Sequence, residues 1–326
     1  MSINPNSYLI SDILKYESKA TRDGYGEGLV LAGEKNKDVV VLCADLTEST
    51  RSLGFQKKFP ERFVEMGVAE QNMASVAAGL ALCGKIPFIS SYAVFSPGRN
   101  NEQIRTTICY NKANVKIAGA HAGISVGPDG ATHQALEDIG LMRLLPGMTV
   151  IAPCDAEEAK KATLAAAEII GPVYLRFARE KTPVITTPHT PFKIGQAEVF
   201  KNGKDAVIFA SGPLVHNALL AALQLEKEKI SVAVVNIHTI KPLDKDTILK
   251  YAYETKAVVS VEEHQIYGGL GGAIAELLVQ ELPTAMEFIG VHDSFGESGT
   301  LAELIEKFGM GVESIKKAIK RVLNRK

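Results

Sequence analysis

The chain has 326 residues, a length that predicts two domains of ordinary size. Hydrophobic residues make up 46% and charged residues 22%, as in typical globular proteins, and the net charge of −1 leaves no basic field to hold nucleic acid or an anionic membrane surface. The four cysteines form no C-x-x-C pair, the first residues show no secretory signal, and no apolar run is long enough to span a membrane. We therefore expect a cytoplasmic protein with neither nucleic acid nor membrane as a partner.

Strand and helix patterns alternate through the first half of the chain. Short apolar runs predict strands at residues 38–44, 86–90, 115–120, 149–152 and 173–177. Helical patterns cover residues 70–82 and 155–170, and Asp155 is the predicted N-cap of the second. Because the strand runs do not alternate cleanly between apolar and polar residues, they predict a parallel sheet covered on both faces.

A proline-rich stretch at residues 181–192 separates this series from a second one. Its sequence, KTPVITTPHTPF, contains three prolines and four threonines, which indicates a linker. Beyond it, strands are predicted at 205–210, 231–236, 257–261 and 286–291, and helices at 214–228, 244–253, 272–282 and 299–308. The predicted fold class is α/β, with two doubly wound domains of mostly parallel sheet over residues 1–190 and 191–326.

Polar segments follow three predicted strands of the first domain, at residues 45–50, 91–99 and 121–134. Open parallel sheets bind their ligands beyond the carboxyl ends of the strands. We therefore expect the chemistry of this protein at these three segments.

A glutamate and a group of aromatic residues lie in or near these segments. Glu70 stands where a short strand meets a helix, and taken alone it is explained by a favourable interaction with the helix dipole. Phe88, Tyr92 and Phe95 cluster in a chain with only 6% aromatic residues, and taken alone they are explained by packing at the end of a strand.

The segment 121–134, HAGISVGPDGATHQ, carries the densest set of candidate binding residues. Its glycines let the backbone approach a ligand. His121, Asp129 and His133 could bind a metal ion, or could hydrogen-bond hydroxyl groups or a phosphate, and a surface loop with incidental histidines is the alternative. Arginine suits phosphate recognition, although a solvated position explains any single one, and it occurs at Arg22, Arg99, Arg105, Arg176 and Arg179.

Taken together and in this order, the motifs resemble the C-terminal half of transketolase over nearly the whole chain. Asp45–Ser49 is similar to the A-D-L-T-x-S segment of that family, and Gly67–Glu70 is similar to its catalytic-glutamate segment. Phe88–Phe95 resembles its aromatic cage. The triplet Ala69-Glu70-Gln71 departs from the Arg-Glu-His that is common in the family.

The loop at residues 121–134 is the most specific of these similarities. It resembles the family's D-G-x-T-H-Q loop, with Asp129 eight residues after His121 and His133 four residues after Asp129. Deoxyxylulose-phosphate synthase has a similar loop, so the motif does not separate the two enzymes.

The resemblance implies a pyrimidine-binding domain followed by a transketolase-type C-terminal domain, with thiamine diphosphate as the cofactor. It implies that Glu70 hydrogen-bonds the aminopyrimidine ring and is poorly exposed, because burial favours the neutral acid. The catalytic residues that it implies are Glu70, His121 and His133. The implied cofactor-binding residues are Asp45, Glu70, Phe88, Tyr92 and Phe95, and the implied substrate-binding residues are Arg22, Ser49, His121, Asp129, His133 and Arg179.

The Gly-Asp-Gly motif that binds Mg²⁺ and diphosphate in full-length members is not found in this sequence. The resemblance therefore implies a partner, an N-terminal transketolase subunit that holds Mg²⁺ (or Ca²⁺), and assembly as a dimer of heterodimers. The implied reaction is the reversible transfer of a two-carbon ketol group from a ketose phosphate to an aldose phosphate. Half of a deoxyxylulose-phosphate-synthase-like or 2-oxoacid-dehydrogenase-like enzyme, and a non-catalytic partner subunit, are the alternatives.

Overall fold

Strands and helices alternate along the whole of the described chain, residues 3–326 of a computed structural model. The strands are β1 (Glu17–Lys19), β2 (Val39–Cys43), β3 (Phe63–Glu65), β4 (Ile86–Tyr92), β5 (Lys116–Ala120), β6 (Thr149–Ile151), β7 (Val173–Arg176), β8 (Thr182–Val184), β9 (Glu198–Lys201), β10 (Ala206–Ala210), β11 (Val232–Asn236), β12 (Thr239–Lys241), β13 (Ala257–Gln265) and β14 (Ala285–Val291). The α-helices are α1 (Thr21–Lys35), α2 (Leu53–Lys58), α3 (Glu70–Leu82), α4 (Asn101–Gln103), α5 (Asp138–Arg143), α6 (Ala156–Glu168), α7 (Leu214–Lys227), α8 (Lys245–Thr255), α9 (Leu270–Glu281), α10 (Leu301–Lys307) and α11 (Val312–Leu323). A π-helix over Ile104–Cys109 continues α4, and short 3-10 turns cover Pro5–Ser7, Pro60–Arg62 and Ile124–Asp129. Within residues 3–326, no helix is both long and apolar enough to cross a membrane.

The first sheet has seven strands in the order β12-β6-β7-β5-β4-β2-β3. Six of them run parallel and come from the first half of the chain, whereas β12 comes from the second half and pairs antiparallel with β6. All residues of the central strand β5 are buried, so both faces of the sheet are covered. The prediction of a parallel sheet covered on both faces is confirmed.

The second sheet has five strands in the order β14-β13-β10-β11-β9. Its strands are parallel except β9, which pairs antiparallel with β11 at the edge. Strands β10 and β11 are buried along their whole length. The predicted α/β fold class with mostly parallel sheets is therefore confirmed.

Every strand and helix predicted from the apolar pattern is present, with ends that shift by a few residues. Asp155 caps α6 as predicted, because its Oδ1 accepts a hydrogen bond from Glu158 N at 2.9 Å. The pattern does not predict α1, α11 or β12. Helix α1 contains four glycines, which are poor helix formers, and β12 is only three residues long.

The stretch predicted to be a linker is fixed in place. Within it, β8 pairs antiparallel with β1. The buried carboxylate of Asp155 accepts hydrogen bonds from Ile185 N at 2.8 Å and from Thr186 N at 2.7 Å. The N-cap of α6 therefore also holds the chain where it leaves the first sheet.

The two halves of the chain exchange short segments. Asn4 N donates to Phe200 O of β9 at 2.9 Å, and Ile13 is buried in the core of the second sheet. In the other direction, β12 adds a strand to the first sheet. A domain boundary near residue 190 stays a prediction.

Helices α1 and α6 approach each other closely because glycines face the contact. A Cβ atom on Gly24 would lie 1.9 Å from Ala156 O, and one on Gly28 would lie 2.8 Å from Lys160 O. These oxygens belong to the backbone of α6 and cannot move aside as a flexible side chain can. The glycines that weaken α1 as an isolated helix are what allow it to pack.

We expect Gly24→Ala to lower the free energy of unfolding by about 1–3 kcal/mol, because the new methyl group collides with α6. Gly79→Ala is the matched control, since Gly79 also lies inside a helix but has nothing within 4 Å of its Cβ position. That variant should be neutral or gain up to about 1 kcal/mol from helix propensity. Urea unfolding measures both variants, and equal losses would contradict the close-contact explanation.

A buried histidine makes the contact between the two halves sensitive to pH. His238 O accepts a hydrogen bond from Ala152 N at 2.8 Å, and the His238 ring lies 4.3 Å from the Phe192 ring between centroids. Burial lowers the pKa of His238 to about 3, although Asp244 acts in the opposite direction. The folded protein therefore keeps His238 neutral where an unfolded chain would protonate it.

Stability should fall as the pH drops below the ordinary histidine pKa of 6.5, because the unfolded chain then binds a proton that the folded chain does not. Between about pH 7.5 and about pH 5, His238 alone should account for a loss of about 2 kcal/mol. His238→Asn removes the titrating group. Between these two pH values, the free energy of unfolding of the variant should therefore fall by about 2 kcal/mol less than that of the wild-type protein. Urea unfolding at both pH values measures the difference, and an unchanged pH dependence would contradict the expectation.

Candidate active site

The carboxyl ends of β2, β4, β5 and β7 meet along one side of the first sheet, which we call the carboxyl edge. Asp45 follows β2, Tyr92 ends β4, His121 follows β5 and Arg179 follows β7. Because these strands are parallel, residues that are far apart in sequence converge at this edge.

Glu70 is the first residue of α3 and is 2% exposed, which agrees with the prediction of a poorly exposed glutamate. Its Oε2 lies 3.0 Å from Nη1 of Arg99, and its backbone O accepts a hydrogen bond from Asn100 Nδ2 at 3.1 Å. A buried carboxyl group needs a polar partner, and the Arg99 guanidinium supplies it. The sequence has no local signal for this ion pair, because its two residues are 29 positions apart.

Four rings form an aromatic cluster at the carboxyl edge. Tyr92 stacks on His121 with ring centroids 3.8 Å apart. Phe95 lies 6.0 Å from Tyr92 and 5.5 Å from His133 between centroids. Cζ of Arg99 lies 4.6 Å from the centroid of the Phe95 ring, so the cluster begins beside the Glu70–Arg99 ion pair and ends at the 121–134 loop.

Phe88 does not join this cluster, and the prediction that it completes an aromatic cage needs correction. Its side chain is fully buried in the core of the first sheet, in the same cluster as Tyr25. It precedes Tyr92 by four residues on β4, a distance of about 13 Å at the usual rise of a strand. The sequence could not separate the two positions, since both belong to one apolar run.

Arg22 bridges two of the predicted substrate-binding residues. Its Nη1 donates to Ser49 O at 2.8 Å and lies 3.2 Å from His121 Nε2. A guanidinium group has no acceptor, so His121 Nε2 accepts and the neutral ring carries its proton on Nδ1. His121 Nδ1 is buried and has no hydrogen-bond partner among the described residues, so it is available to donate to a ligand atom.

Arg179 holds the 121–134 loop from the first domain. Its Nη1 donates to Val126 O at 2.6 Å and lies 3.4 Å from Asp129 Oδ1. The structure therefore brings Arg179 and Asp129 together, although 50 positions separate them.

Three arginines, Arg22, Arg51 and Arg179, lie close enough to His121 at the carboxyl edge to affect its pKa, although the net charge of the chain is −1. Burial, followed by the charges of Arg22 and Arg179, lowers the pKa of His121 to about 2. Burial and the neighbouring charge of Arg51 also lower the pKa of Arg22. An anion bound among these guanidinium groups would relieve their repulsion, so the arrangement fits an anionic ligand.

Two predicted site residues have a left-handed backbone conformation, Asp45 with φ +56° and His121 with φ +52°. Non-glycine residues in this conformation concentrate at functional sites. Asp45 is exposed, and its backbone N donates to Glu65 Oε1 at 2.8 Å. The Glu65 carboxylate also accepts from Thr47 Oγ1 at 2.9 Å and from Gly67 N at 3.0 Å, so it organises the segment that carries Asp45. Sequence reasoning missed Glu65, because a single glutamate has no distinguishing pattern.

Within residues 3–326, no group of three or more His, Cys, Asp or Glu side chains is placed to hold a metal ion. Direct contacts connect most of the predicted site residues, with Arg99 joining Glu70 to the rest. The connected residues are Arg22, Ser49, Glu70, Tyr92, Phe95, His121 and His133. Arg179 contacts Asp129, and its charge helps to lower the pKa of His121.

Two family models match the chain. One is described as "Transketolase, pyrimidine binding domain" and matches residues 17–184, which is more than half of the chain. The other is described as "Transketolase, C-terminal domain" and matches residues 195–315.

Relatives of similar length match nearly the whole chain. A Methanocaldococcus jannaschii protein, provisionally named transketolase C-terminal section, is 46% identical over 304 residues, which are 92% of this chain and 95% of the relative. The 6-deoxy-6-sulfo-D-fructose transketolase subunit of a Clostridium species is 39% identical over 96% of this chain and 97% of the relative. Transketolase of Homo sapiens is 35% identical over 98% of this chain, but the match spans only 51% of that protein.

A solved structure described as a split gene transketolase in an inactive beta4 tetramer has a similar fold. It aligns with a TM-score of 0.88 at 48% identity, over 94% of this chain and 98% of that chain. The fold, the family models and the relatives agree. The chain belongs to the transketolase family and carries its pyrimidine-binding and C-terminal domains.

Proposed function

We propose that this chain is the C-terminal subunit of a transketolase. With a partner subunit, it would catalyse the reversible transfer of a two-carbon ketol group from a ketose phosphate to an aldose phosphate. The main observation behind the proposal is that three features lie next to one another along the carboxyl edge. They are a buried glutamate, an aromatic cluster and a group of arginines. A ketol transferase needs these three features together, and membership of the transketolase family supports the assignment.

The residues at one end of the carboxyl edge fit thiamine diphosphate. Tyr92 and Phe95 are partly exposed and offer the apolar surface that an aminopyrimidine ring requires, and Glu70 offers a buried carboxyl group beside them. When bound, the cofactor supplies the nucleophilic carbon that takes up the two-carbon unit. Glu70 would hydrogen-bond the ring through a carboxyl oxygen, and Asp45 would orient the adjoining segment.

The residues of the 121–134 loop would contact the oxygens of the sugar. His121, with its pKa lowered to about 2, stays neutral near neutral pH, so its buried Nδ1–H is a permanent hydrogen-bond donor. His133 would donate to a second sugar oxygen from across the aromatic cluster. Asp129, oriented by Arg179, would accept a hydrogen bond from a donor hydroxyl.

Arg22, Ser49 and Arg179 would hold the anionic group of the sugar. The planar donors of arginine suit a tetrahedral anion such as phosphate. A sulfonate group has the same general shape, and the Clostridium relative is named for a sulfonated sugar. We propose phosphate for this chain, and the assay described below separates it from a sulfonate.

The other part of the cofactor site would come from a second chain. This chain matches 51% of human transketolase and contains no Gly-Asp-Gly motif, and a solved relative is described as a split gene transketolase. We therefore propose as partner an N-terminal transketolase subunit with the diphosphate-binding domain. That subunit would hold Mg²⁺ (or Ca²⁺), and two copies of each chain would form a dimer of heterodimers.

In the assembled enzyme, Glu70→Ala should lower kcat by about 100-fold or more, since a positioned proton-handling group contributes at least that much. Steady-state ketol transfer from a ketose phosphate measures the effect. Glu168→Ala is the matched control, because Glu168 is exposed at the end of α6, away from the carboxyl edge, and should leave kcat unchanged. Circular dichroism and partner binding should be normal for both variants, and wild-type turnover by Glu70→Ala would refute the assignment.

Arg179→Ala should raise KM for a ketose phosphate by about 10- to 100-fold, the range expected for losing charge-assisted hydrogen bonds to the anion. The same variant should change KM for an unphosphorylated ketose much less. Arg105→Ala is the control, because Arg105 is exposed and lies near Pro146 and Gly147. These two residues precede β6, so they lie at the amino end of that strand and not at the carboxyl edge.

A ketose phosphate, an unphosphorylated ketose and a 6-sulfonated ketose together test the role of Arg179 and the identity of the bound anion. An equal rise of KM for phosphorylated and unphosphorylated ketoses would remove Arg179 from the anion site. A wild-type kcat/KM that is higher for a 6-sulfonated ketose than for the phosphate would replace phosphate with sulfonate as the proposed anion.

A further inference from the structure

The 121–134 loop is held from both domains. From the first domain, Arg179 Nη1 donates to Val126 O at 2.6 Å. From the second domain, Glu263 Oε1 accepts a hydrogen bond from Ser125 N at 2.5 Å. Gln134, at the end of the loop, donates through Nε2 to Glu297 O at 2.9 Å. The loop that carries the candidate substrate-binding residues thus depends on contacts from outside its own domain.

Glu263 is itself fixed from the first domain. It lies near the end of β13, is 3% exposed, and its backbone O accepts a hydrogen bond from Arg176 Nη2 at 2.7 Å. Arg176 forms a buried ion pair with Asp138 in which Nε lies 2.8 Å from Oδ2. Burial raises the pKa of the Glu263 carboxyl, although the charge of Arg176 opposes this. A carboxyl group that is removed from water is costly to bury unless it has a hydrogen-bond partner. For Glu263 that partner is the backbone N of Ser125 in the loop.

The contact lies in the middle of the functional part of the loop. Ser125 is four residues after His121 and four residues before Asp129. Gly123 has φ +85°, and a Cβ atom there would lie 2.3 Å from Glu263 Oε1, so the carboxylate leaves room only for a glycine two residues earlier in the loop. The path of the loop between His121 and Asp129 is therefore shaped against Glu263.

The neighbouring Glu262 has a different structural role from Glu263. Its carboxylate accepts hydrogen bonds from Leu270 N at 2.7 Å and from Gly271 N at 2.8 Å, at the beginning of α9. Glu262 is as buried as Glu263, but its contacts stay within the second domain. The two glutamates therefore form a matched pair in which one stabilises a helix and the other holds the loop.

We propose that Glu263 is a positioning residue of the active site. Its carboxyl group holds the 121–134 loop in the path that presents His121 and Asp129 to the sugar substrate. The second domain would then contribute to substrate binding through this contact, in addition to any role in assembly. The part of this inference that concerns the sugar rests on the proposed function.

Hydrogen–deuterium exchange of the isolated chain tests the positioning step without any activity. Glu263→Ala leaves Ser125 N without its partner, so amides in segment 123–130 should exchange about 10-fold faster or more. Glu263→Gln keeps an acceptor oxygen and should restore most of the protection. Glu262→Ala should speed exchange at residues 270–274 and leave the loop unchanged. Unchanged loop exchange in Glu263→Ala would overturn the inference.

Kinetics of the assembled enzyme test whether the hydrogen bond between Glu263 and Ser125 affects substrate binding. Glu263→Ala should raise KM for a ketose phosphate about 10-fold while lowering kcat much less, because the loop binds substrate and Glu70 is untouched. Glu263→Gln should return KM most of the way to the wild-type value. A KM within twofold of wild type, despite faster loop exchange, would overturn the inference. An inactive wild-type assembly would instead count against the proposed function, and the exchange data would still decide whether Glu263 holds the loop.

Discussion

The parallel arrangement of β2, β4, β5 and β7 is the constraint on which the rest of the site depends. Parallel strands end on the same side of a sheet, so the segments that follow them must share one edge. Residues that are distant in sequence meet there, as Arg22 and His121 do across 99 positions. Burial of both faces of the sheet fixes the register of these strands, and the register in turn places the side chains of the site.

The arginines at this edge act locally on the groups beside them. The net charge is −1, yet Arg22, Arg51 and Arg179 lie near enough to His121 to lower its pKa together with burial. A neutral histidine among guanidinium groups can only donate through the nitrogen that does not face them. The same guanidinium groups therefore fix the hydrogen-bonding role of the ring beside them, and under the proposed function they would also hold an anion.

The second domain is bound to the first by more than a covalent connection. Strand β12 completes the first sheet, and Asp155 holds the chain between the two domains. Arg176 donates to the backbone of Glu263, whose carboxyl group holds the loop at Ser125. The β12 pairing and the two Glu263 contacts join residues from both halves, so the geometry of the candidate active site is a property of the two domains together.

The sequence by itself determined most of the strands and helices, because apolar runs and the Asp155 cap act over a few residues. It also indicated the family, because each of the motifs that carry the resemblance, including His121, Asp129 and His133, lies within one short segment. Only the tertiary structure decided which residues meet across long separations, such as Arg99 with Glu70 and Glu263 with Ser125, since no local pattern records a contact 29 or 138 positions away. Phe88 shows the same limit, because its burial depends on its depth in the sheet, whereas the sequence shows only one apolar run ending near Tyr92.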